Sequence, residues 1–444
     1  MSPTLIIQNE QLSKFDEEPT RIFLRDVAIS TSTESCLWRL APSECFAHMS
    51  TTTTVEIPER TSGSRTGLLA VLFVGFILSG IATTIVGPML PVFIRRWALD
   101  DGQAGLFPML QFFAALVGTV ASGALMSWRG YRPPLVLGFA VIGYGLATLN
   151  AAAHVNALIA TSAIGFGYGL ITPGTNLYVA EAGGVRSASL LNRLNFTWGA
   201  GAMACSPLFK LALGRNALPG LLVGYAVFGG LLALSLVFTP FEAKKQEEKT
   251  EKVKAAPLGM GLWVTIALAI LFFTYVGMEN SIGVWSAEYS RRLANGITNM
   301  TTLAPMFFYA GLTSGRGLAP LALSRVSERR LVLAALGLTA AAITLVIFSA
   351  TVKTAIAAVF VAGLGCACVY PIYIAWLSKW YGARAKRIGG LLFALASLGG
   401  SAGPWLVGIF SKYSGSLRVG FLVPLLSALL MICIVASLRR QTSQ

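Results

Sequence analysis

Long apolar segments follow one another along the chain from residue 67 onward and are separated by short polar stretches. A membrane-spanning helix needs about 20 mostly apolar residues, and the pattern predicts twelve such helices. The first six are predicted at 67–94, 103–126, 133–153, 155–180, 185–213 and 218–238. The second six are predicted at 261–289, 299–322, 331–350, 354–380, 388–412 and 421–438. The predicted fold class is an all-α polytopic membrane protein, with twelve transmembrane helices in two pseudo-symmetric six-helix halves at 66–239 and 259–438.

Three polar stretches lie outside these halves. Residues 1–65 are rich in Ser and Thr and lack a hydrophobic period, so we expect a disordered cytoplasmic N-terminal tail. Met49 precedes a run of Ser and Thr close to the first predicted helix, which makes it an alternative start of the native protein. Residues 240–258 form a charged linker and residues 439–444 a short C-terminus, and we expect both to be cytoplasmic.

The composition agrees with a lipid-embedded exterior. Charged residues make up 12% of the 444 residues and hydrophobic residues 55%, whereas a soluble domain has about 25% charged residues. The net charge of +15 comes largely from Lys and Arg in short loops, which argues against a nucleic-acid-binding surface. The lipid bilayer is therefore the expected surrounding of most of the chain.

The distribution of Lys and Arg predicts the orientation in the membrane. With the N-terminus inside, 20 of these residues near the spans fall on the cytoplasmic side and nine on the opposite side. Cytoplasmic loops of membrane proteins carry the excess of positive charge. We therefore expect both termini in the cytoplasm of a multi-pass protein of the cell membrane, a bacterial inner membrane being favoured, and we expect a monomer.

The two halves align as a sequence repeat. Equivalent residues recur at a nearly constant offset of 196 to 198 positions. The aligned pairs are Gly80 with Gly277, Gly165 with Gly363, Pro173 with Pro371, Pro207 with Pro404, Arg129 with Arg325, and Arg132 with Arg329. Parallel repeats of this kind are typical of two-halved transporters, whose substrate site lies near the membrane midplane between the halves.

The stretch from Gly123 to Arg132 resembles the loop between the second and third helices of the major facilitator superfamily. Ser127 stands where the family pattern usually has an Asp, which calls into question the charge relay that latches the inward gate. The resemblance implies a gating role for residues of this loop and of its counterpart in the second half. These residues are Gly123, Arg129, Gly130, Arg132, Arg316, Arg325 and Arg329.

A finer resemblance concerns the seventh and fifth helices. The stretch from Tyr275 to Trp285 is similar to the seventh helix of sugar permeases in the fucose–galactose–proton symporter branch, and the stretch from Asn195 to Pro207 is compatible with the fifth. This resemblance implies a sugar as the small-molecule substrate and protons as the coupling ion. Sodium coupling and facilitated diffusion stay open, because the first half has no carboxylate comparable to Glu279.

Glu279 is the only acidic residue well inside a predicted span. A carboxylate in hydrocarbon is costly and usually faces a cavity or a partner, and a carboxyl group removed from water takes up a proton more readily. We therefore expect Glu279 to carry the proton and to contact the substrate, with Tyr275 one turn away on the same face. The alternative is a structural ion pair with an arginine such as Arg316.

Amides and one tryptophan complete the predicted substrate site. The amides are Gln111, Asn176, Asn195 and Asn280. They suit a neutral polyhydroxylated ligand, although each can instead join helices to one another. Trp198 lies one turn from Asn195 and suits stacking against a sugar. Arg316 suits an anionic substrate, but its position near the cytoplasmic end favours a gate or an ion pair.

No catalytic, cofactor or metal motif accompanies these residues. The two histidines are too few and too far apart for a metal site, and we expect neither a cofactor nor enzymatic activity. The leading hypothesis is secondary active transport of a small hydrophilic solute, with a sugar favoured, by alternating access. The alternative is a proton-coupled efflux antiporter for amphiphilic compounds, which Ser206 before Pro207 in the fifth helix disfavours, because such antiporters often have Gly-Pro there.

Overall fold

The computed structural model describes residues 63–183, 187–239, 262–382 and 385–438. These residues form fifteen helices and no strand. The first half contains α1 (Gly63–Thr84), α2 (Val86–Trp97), α3 (Asp101–Arg129), α4 (Arg132–Thr148), α5 (His154–Gly183), α6 (Ser187–Gly214) and α7 (Leu218–Phe238). The second half contains α8 (Leu262–Leu293), α9 (Asn299–Leu323), α10 (Glu328–Phe348), α11 (Val352–Cys366), α12 (Val369–Tyr381), α13 (Ala385–Ser414), α14 (Leu417–Gly420) and α15 (Leu422–Ser437).

Three of the predicted spans are each broken into two helices, so the fifteen helices make twelve spans. The breaks separate α1 from α2, α11 from α12, and α14 from α15. Each break lies four residues before a proline, at Thr84 before Pro88, at Ala367 before Pro371 and at Gly420 before Pro424. Proline has no N–H for the carbonyl four residues earlier and its ring clashes with that carbonyl. The chain therefore kinks there and continues across the membrane.

The twelve-helix, all-α fold predicted from the apolar pattern is confirmed, with helix ends that differ by several residues. Nine of the twelve spans in the described chain are long and apolar enough by themselves to cross a bilayer. The other three are α4, which has 17 residues, and α6 and α9, which carry polar side chains along their length. The predicted linker and C-terminus lie outside the described residues, as does the predicted tail up to residue 62. These three assignments stay predictions.

Close helix crossings repeat in the two halves. A Cβ atom on Gly165 of α5 would lie 1.9 Å from the carbonyl oxygen of Gln111, and one on Gly363 of α11 would lie 2.2 Å from that of Phe308. Only glycine permits such backbone contact between α3 and α5, and between α9 and α11. The aligned glycines of the sequence repeat therefore mark equivalent crossings.

Two of the aligned arginines also make equivalent contacts. Arg132 donates from Nη2 to the carbonyl oxygen of Thr239 at 2.8 Å, just after α7. Arg329 donates from Nε and Nη2 to the carbonyl oxygens of Val435 and Ala436 at 3.1 and 3.0 Å, near the end of α15. Each arginine thus binds free carbonyl groups at the C-terminal end of the last span of its half, where positive charge is favourable.

The halves meet closely at one end of the bundle. Packing between them involves α2 with α8, α3 with α13, and α6 with α9. Ser401 donates to the carbonyl oxygen of Met109 at 2.8 Å, and a Cβ atom on Gly408 would lie 2.3 Å from the carbonyl oxygen of Asp101. We call this the closed end, at which α3 begins and α13 ends.

Burial shows that the halves separate toward the opposite end. Of the ten buried residues of α3, nine lie between Asp101 and Gly118, although the helix continues to Arg129. The buried residues of α9 all lie between Thr301 and Leu312, although that helix continues to Leu323. The second and eighth spans therefore lose their covering toward the same end, which we call the open end. The predicted orientation makes it the cytoplasmic end.

Candidate substrate site and outer gate

Glu279 lies midway along α8 and is half-buried. Its charge interacts with the hydroxyl groups of four tyrosines, which come from both halves of the protein. These are Tyr168 of α5, Tyr275 of α8, Tyr309 of α9 and Tyr370 of α12. The carboxylate therefore lies in an aromatic environment where the two halves face each other, as the midplane site of a two-halved transporter requires.

Tyr275 is fully buried beside this carboxylate. Its hydroxyl group donates to the carbonyl oxygen of Cys366 at 2.8 Å, and its ring stacks on Tyr370 with centroids 5.6 Å apart. The carbonyl of Cys366 lies at the break between α11 and α12, where the helix leaves carbonyl groups without an intrahelical donor. In this conformation Tyr275 supports the broken tenth span and, being fully buried, exposes no surface to a ligand.

The three predicted asparagines share one geometry. Each donates its side-chain N–H to the carbonyl oxygen four residues earlier, at 2.8 Å from Asn176, 2.9 Å from Asn195 and 2.9 Å from Asn280. Their side-chain oxygens accept no hydrogen bond from the described residues. Each asparagine thus keeps a fixed rotamer and presents an acceptor, which suits hydroxyl groups of a ligand. Asn195 is exposed, and the other two are half-buried.

Gln111 occupies a tighter position in α3. It is 2% exposed, donates from Nε2 to the carbonyl oxygen of Thr83 at 3.2 Å, and has a buried Oε1 without a partner among the described residues. The donated bond reaches the last turn of α1, immediately before the break of the first span. Gln111 therefore joins the first two spans, which is the interhelical role that we weighed against substrate binding.

Trp198 and Arg316 provide hydrogen-bond donors without acceptors. The indole Nε1 of Trp198 and Nε of Arg316 are both buried and have no partner among the described residues. Arg316 makes no ion pair with Glu279 within 4.0 Å in this part of the chain. The ion pair between Glu279 and Arg316 that we considered from the sequence is therefore not formed in this conformation.

The closed end contains a buried network of charges that sequence reasoning missed. Asp101 of α3 accepts hydrogen bonds from both terminal nitrogens of Arg292 of α8. Asp101 also accepts from the hydroxyl group of Ser411 of α13 at 2.5 Å. Asp101 belongs to the first half and both partners to the second, so these bonds join the halves directly.

Glu288 fixes the arginine side of this network. It is fully buried, and it accepts from Nε of Arg292 at 2.8 Å and from Nε and Nη2 of Arg291 at 2.7 and 2.6 Å. Spacings of three and four residues bring these side chains together on one face of α8. We call Asp101, Glu288, Arg291, Arg292 and Ser411 the outer gate, because the predicted orientation puts the closed end on the outer side of the membrane.

A more exposed pair borders the outer gate. Lys412 Nζ lies 3.1 Å from Asp100 Oδ2, with side chains 45% and 38% exposed. Burial raises the pKa of Asp100. The hydrogen bond from the Gln103 N–H and the interactions with Lys412 together lower it by more than burial raises it, so the pKa lies below its ordinary value. Because exposed ion pairs contribute only about 0–1 kcal/mol, this pair adds little to gate closure.

Arg129 and Arg325, two of the predicted gating residues at the open end, form no ion pair with the other half among the described residues. Arg129 stacks on the neighbouring ring of Trp128 at 4.1 Å from its centroid, and Arg325 is exposed. Gly130 has φ of 73°, a conformation that favours glycine and turns the chain between α3 and α4. Ser127 donates to the carbonyl oxygen of Ala124 at 2.8 Å. The loop is thus formed while the end that it borders is open.

Comparisons with known proteins agree with this architecture. The family model of the Major Facilitator Superfamily matches residues 299–444. No curated protein matches the chain. Among solved structures, the E. coli fucose:proton symporter, FucP, is 19% identical, with a TM-score of 0.57 and coverage of 85% of this chain and 100% of that chain. A bacterial homologue of the human lysosomal transporter Spinster, inward-facing and occupied, is 14% identical, with a TM-score of 0.66 and coverage of 86% and 98%.

Identities this low show the fold alone, and that fold is the one of membrane transporters. The described chain therefore has the fold of a multi-pass membrane transporter, and its last third matches the model of a transporter family. The resemblance to the major facilitator superfamily that the sequence indicated is confirmed by the fold of the described chain and by the family match over its last third.

Proposed function

We propose that the protein is a secondary transporter that moves a sugar or a closely related hydrophilic solute by alternating access, coupled to protons through Glu279. The observation that carries the proposal is the position of this carboxylate. The five other acidic residues of the described chain lie at or near helix ends or in a loop, whereas Glu279 lies midway along α8 among tyrosines of both halves. An ionisable group at such depth is a functional candidate by default.

The site has the chemistry that a polyhydroxylated ligand needs. The side-chain oxygens of Asn176, Asn195 and Asn280 are acceptors for hydroxyl groups. The rings of Trp198 and Tyr309 meet edge to face, with centroids 6.1 Å apart, and bring together α6 of the first half and α9 of the second. A ligand between the halves therefore meets apolar ring faces and a few fixed polar groups, which is the usual composition of a small-molecule site.

Coupling follows from the charge of Glu279. Closing both ends around the site removes water, and an unpaired carboxylate in that environment costs several kcal/mol. Protonation neutralises the group, so the loaded, protonated carrier changes conformation more readily than the deprotonated one. At the open end the proton and the solute then leave together.

Orientation is part of this proposal. The excess of Lys and Arg near the open end supports a cytoplasmic position for that end and for both termini, in a bacterial inner membrane. A cysteine in place of Tyr413, which is 82% exposed beside the closed end, should react with an impermeant maleimide added to intact cells. A cysteine in place of Trp128, which is 69% exposed near the open end, should react only after permeabilisation. The reverse pattern would overturn the orientation.

The direct test is solute accumulation in proteoliposomes under an imposed pH gradient. The wild-type protein should accumulate a sugar from a broad panel, and Glu279→Gln should lose accumulation while retaining exchange between internal and external solute. Asp100→Asn is a matched control, because the ion pair of Asp100 with Lys412 is exposed and adds little to gate closure. Proton-driven accumulation by Glu279→Gln would contradict the assigned role. Extrusion of amphiphilic compounds without sugar transport would favour the efflux antiporter instead.

A further inference from the structure

We propose that the transported solute carries a carboxylate, as a sugar acid does, and that Arg316 binds this group with the help of Trp198. The inference rests on the proposed function, because it concerns the same site between the halves. It names the substrate class more narrowly than the amides alone, which suit a neutral polyol.

The first observation is an unneutralised guanidinium group inside the bundle. Arg316 lies within α9, seven residues before its end, and its Nε is buried without a hydrogen-bond partner. The same tyrosines that interact with Glu279, namely Tyr168, Tyr275 and Tyr370, also interact with the charge of Arg316. Arg316 is half-buried, and an anion or a polar group that accepts a hydrogen bond from its buried Nε would stabilise the cation. In the described chain no carboxylate lies within 4.0 Å of it.

The second observation is that Trp198 also has a buried N–H group without a hydrogen-bond acceptor in the described chain. The indole Nε1 of Trp198 is buried without a partner, and a Cβ atom on the adjacent Gly199 would lie 2.9 Å from the hydroxyl oxygen of Thr313. Tyr309, Thr313 and Arg316 are spaced four and three residues apart, so they share one face of α9. Trp198 therefore lies along the face that carries Arg316. The two orphan donors, one neutral and one charged, border the same region between α6 and α9.

A carboxylate is the acceptor that satisfies such donors best. Its two oxygens match the planar fork of a guanidinium group, and the resulting bonds are about twice as strong as neutral ones. A single arginine supplies one positive charge, which balances a carboxylate and leaves a phosphate monoester, with a charge of about −1.5 to −2 at neutral pH, partly unbalanced. The charge therefore favours a carboxylate over a phosphate ester.

A carboxylate on the solute also links solute binding to the protonation of Glu279. Ionised Glu279 interacts with the same tyrosines and repels a second carboxylate in this region, whereas protonated Glu279 does not. Proton and anionic solute therefore bind cooperatively, and each raises the affinity for the other by the same factor. One proton and one monoanion together carry no net charge, so transport with this stoichiometry is electroneutral.

Binding to matched ligands tests the carboxylate directly. In detergent-purified protein, the probes are galactose, galacturonate and galactose 6-phosphate, and their dissociation constants are measured by competition or thermal shift at pH 6. The wild-type protein should bind galacturonate about 10- to 100-fold more tightly than galactose, the range of a charge-assisted hydrogen bond, and more tightly than the phosphate ester. Arg316→Gln should remove this preference, and Arg316→Lys should keep part of it. Equal binding of galactose and galacturonate would overturn the inference, as would tightest binding of the phosphate ester or an unchanged preference in Arg316→Gln.

Transport distinguishes failure of this inference from failure of the proposed function. In proteoliposomes, uptake of the anion driven by a pH gradient should be insensitive to a potential set by potassium and valinomycin. Uptake of neutral galactose that depends on both the pH gradient and the potential would leave proton-coupled sugar transport intact and refute the anionic substrate. Tight galacturonate binding without any proton-driven transport would support the carboxylate site and refute proton-coupled transport.

Discussion

Replacing Asp101 by Asn should weaken the outer gate and move the protein toward a conformation with that end open. Asp101 accepts three hydrogen bonds from the second half, two from Arg292 and one from Ser411. Removing one partner of a buried ion pair costs about 3–5 kcal/mol. The loss is smaller here, because the Arg292 side chain is 33% exposed and keeps Glu288 as a partner. We expect about 2 kcal/mol, the middle of the range for hydrogen bonds to charged groups.

This energy predicts a change of about 30-fold in the ratio of open to closed outer ends, since 1.4 kcal/mol corresponds to about tenfold. The assay is double electron–electron resonance in nanodiscs on a cysteine-free background. Spin labels in place of Arg95 and Tyr413, both exposed beside the closed end and on opposite halves, report the separation of α2 from α13. The population at long distance should increase strongly in Asp101→Asn.

The adjacent exposed pair provides the matched control. Asp100→Asn removes the same charge one residue earlier, but its partner Lys412 has a 45% exposed side chain. Exposed pairs contribute about 0–1 kcal/mol, so the ratio should change less than about fivefold. In a double-mutant cycle, adding Arg292→Gln to Asp101→Asn should produce little further opening, because the two residues act on one bond. Equal effects of Asp100→Asn and Asp101→Asn, or additive effects in the cycle, would refute the gate as described.

Two further predictions concern packing and pH. Gly363→Ala should lower the melting temperature markedly in a thermal unfolding assay, because the added Cβ atom would lie 2.2 Å from the backbone of α9. The expected overpacking cost is about 1–3 kcal/mol. Gly337→Ala in α10 is the control and should leave the melting temperature nearly unchanged, because open space surrounds its Cβ position. The bond between Asp100 and Lys412 should persist down to about pH 4, the ordinary pKa of Asp, and its stabilisation should be lost as the pH falls through the depressed pKa in the folded protein. The spin-label distances of wild type and Asp100→Asn should therefore respond alike between pH 5 and pH 8.

The repeat explains how much of the fold could be predicted from the sequence. Gly165 and Gly363 were aligned by their spacing alone, and both prove to be crossings where backbone meets backbone. The three helix breaks could not be predicted in the same way. Each precedes a proline by four residues, but Pro173 and Pro404 lie inside unbroken helices, so a proline alone does not predict a break.

The outer gate shows what the sequence could not reveal. The spacing of Glu288, Arg291 and Arg292 signals a local charge cluster near the end of α8. The decisive partner, Asp101, lies 191 residues away from Arg292 along the chain, and the packing of α13 against both α3 and α8 brings the two residues together. The helix dipole favours any acidic residue at the start of a helix, so the position of Asp101 in the first turn of α3 does not by itself indicate a gate.

The candidate substrate site could be predicted from the sequence only in part. The sequence singled out Glu279 because it is alone among apolar residues, and the described chain brings tyrosines of four helices within electrostatic range of it. Tyr168, Tyr309 and Tyr370 were not predicted, since tyrosines are common in membrane helices and carry no spacing signal. The bond from Tyr275 to Cys366 likewise depends on the break in the tenth span.

Proton movement during solute transport tests the central claim most directly. Wild-type protein in weakly buffered proteoliposomes, without an imposed gradient, should make the external medium more alkaline when the transported solute is added outside. Glu279→Gln should bind the same solute and exchange it without any pH change. A solute-dependent alkalinisation of equal size in Glu279→Gln would contradict proton coupling through this carboxylate.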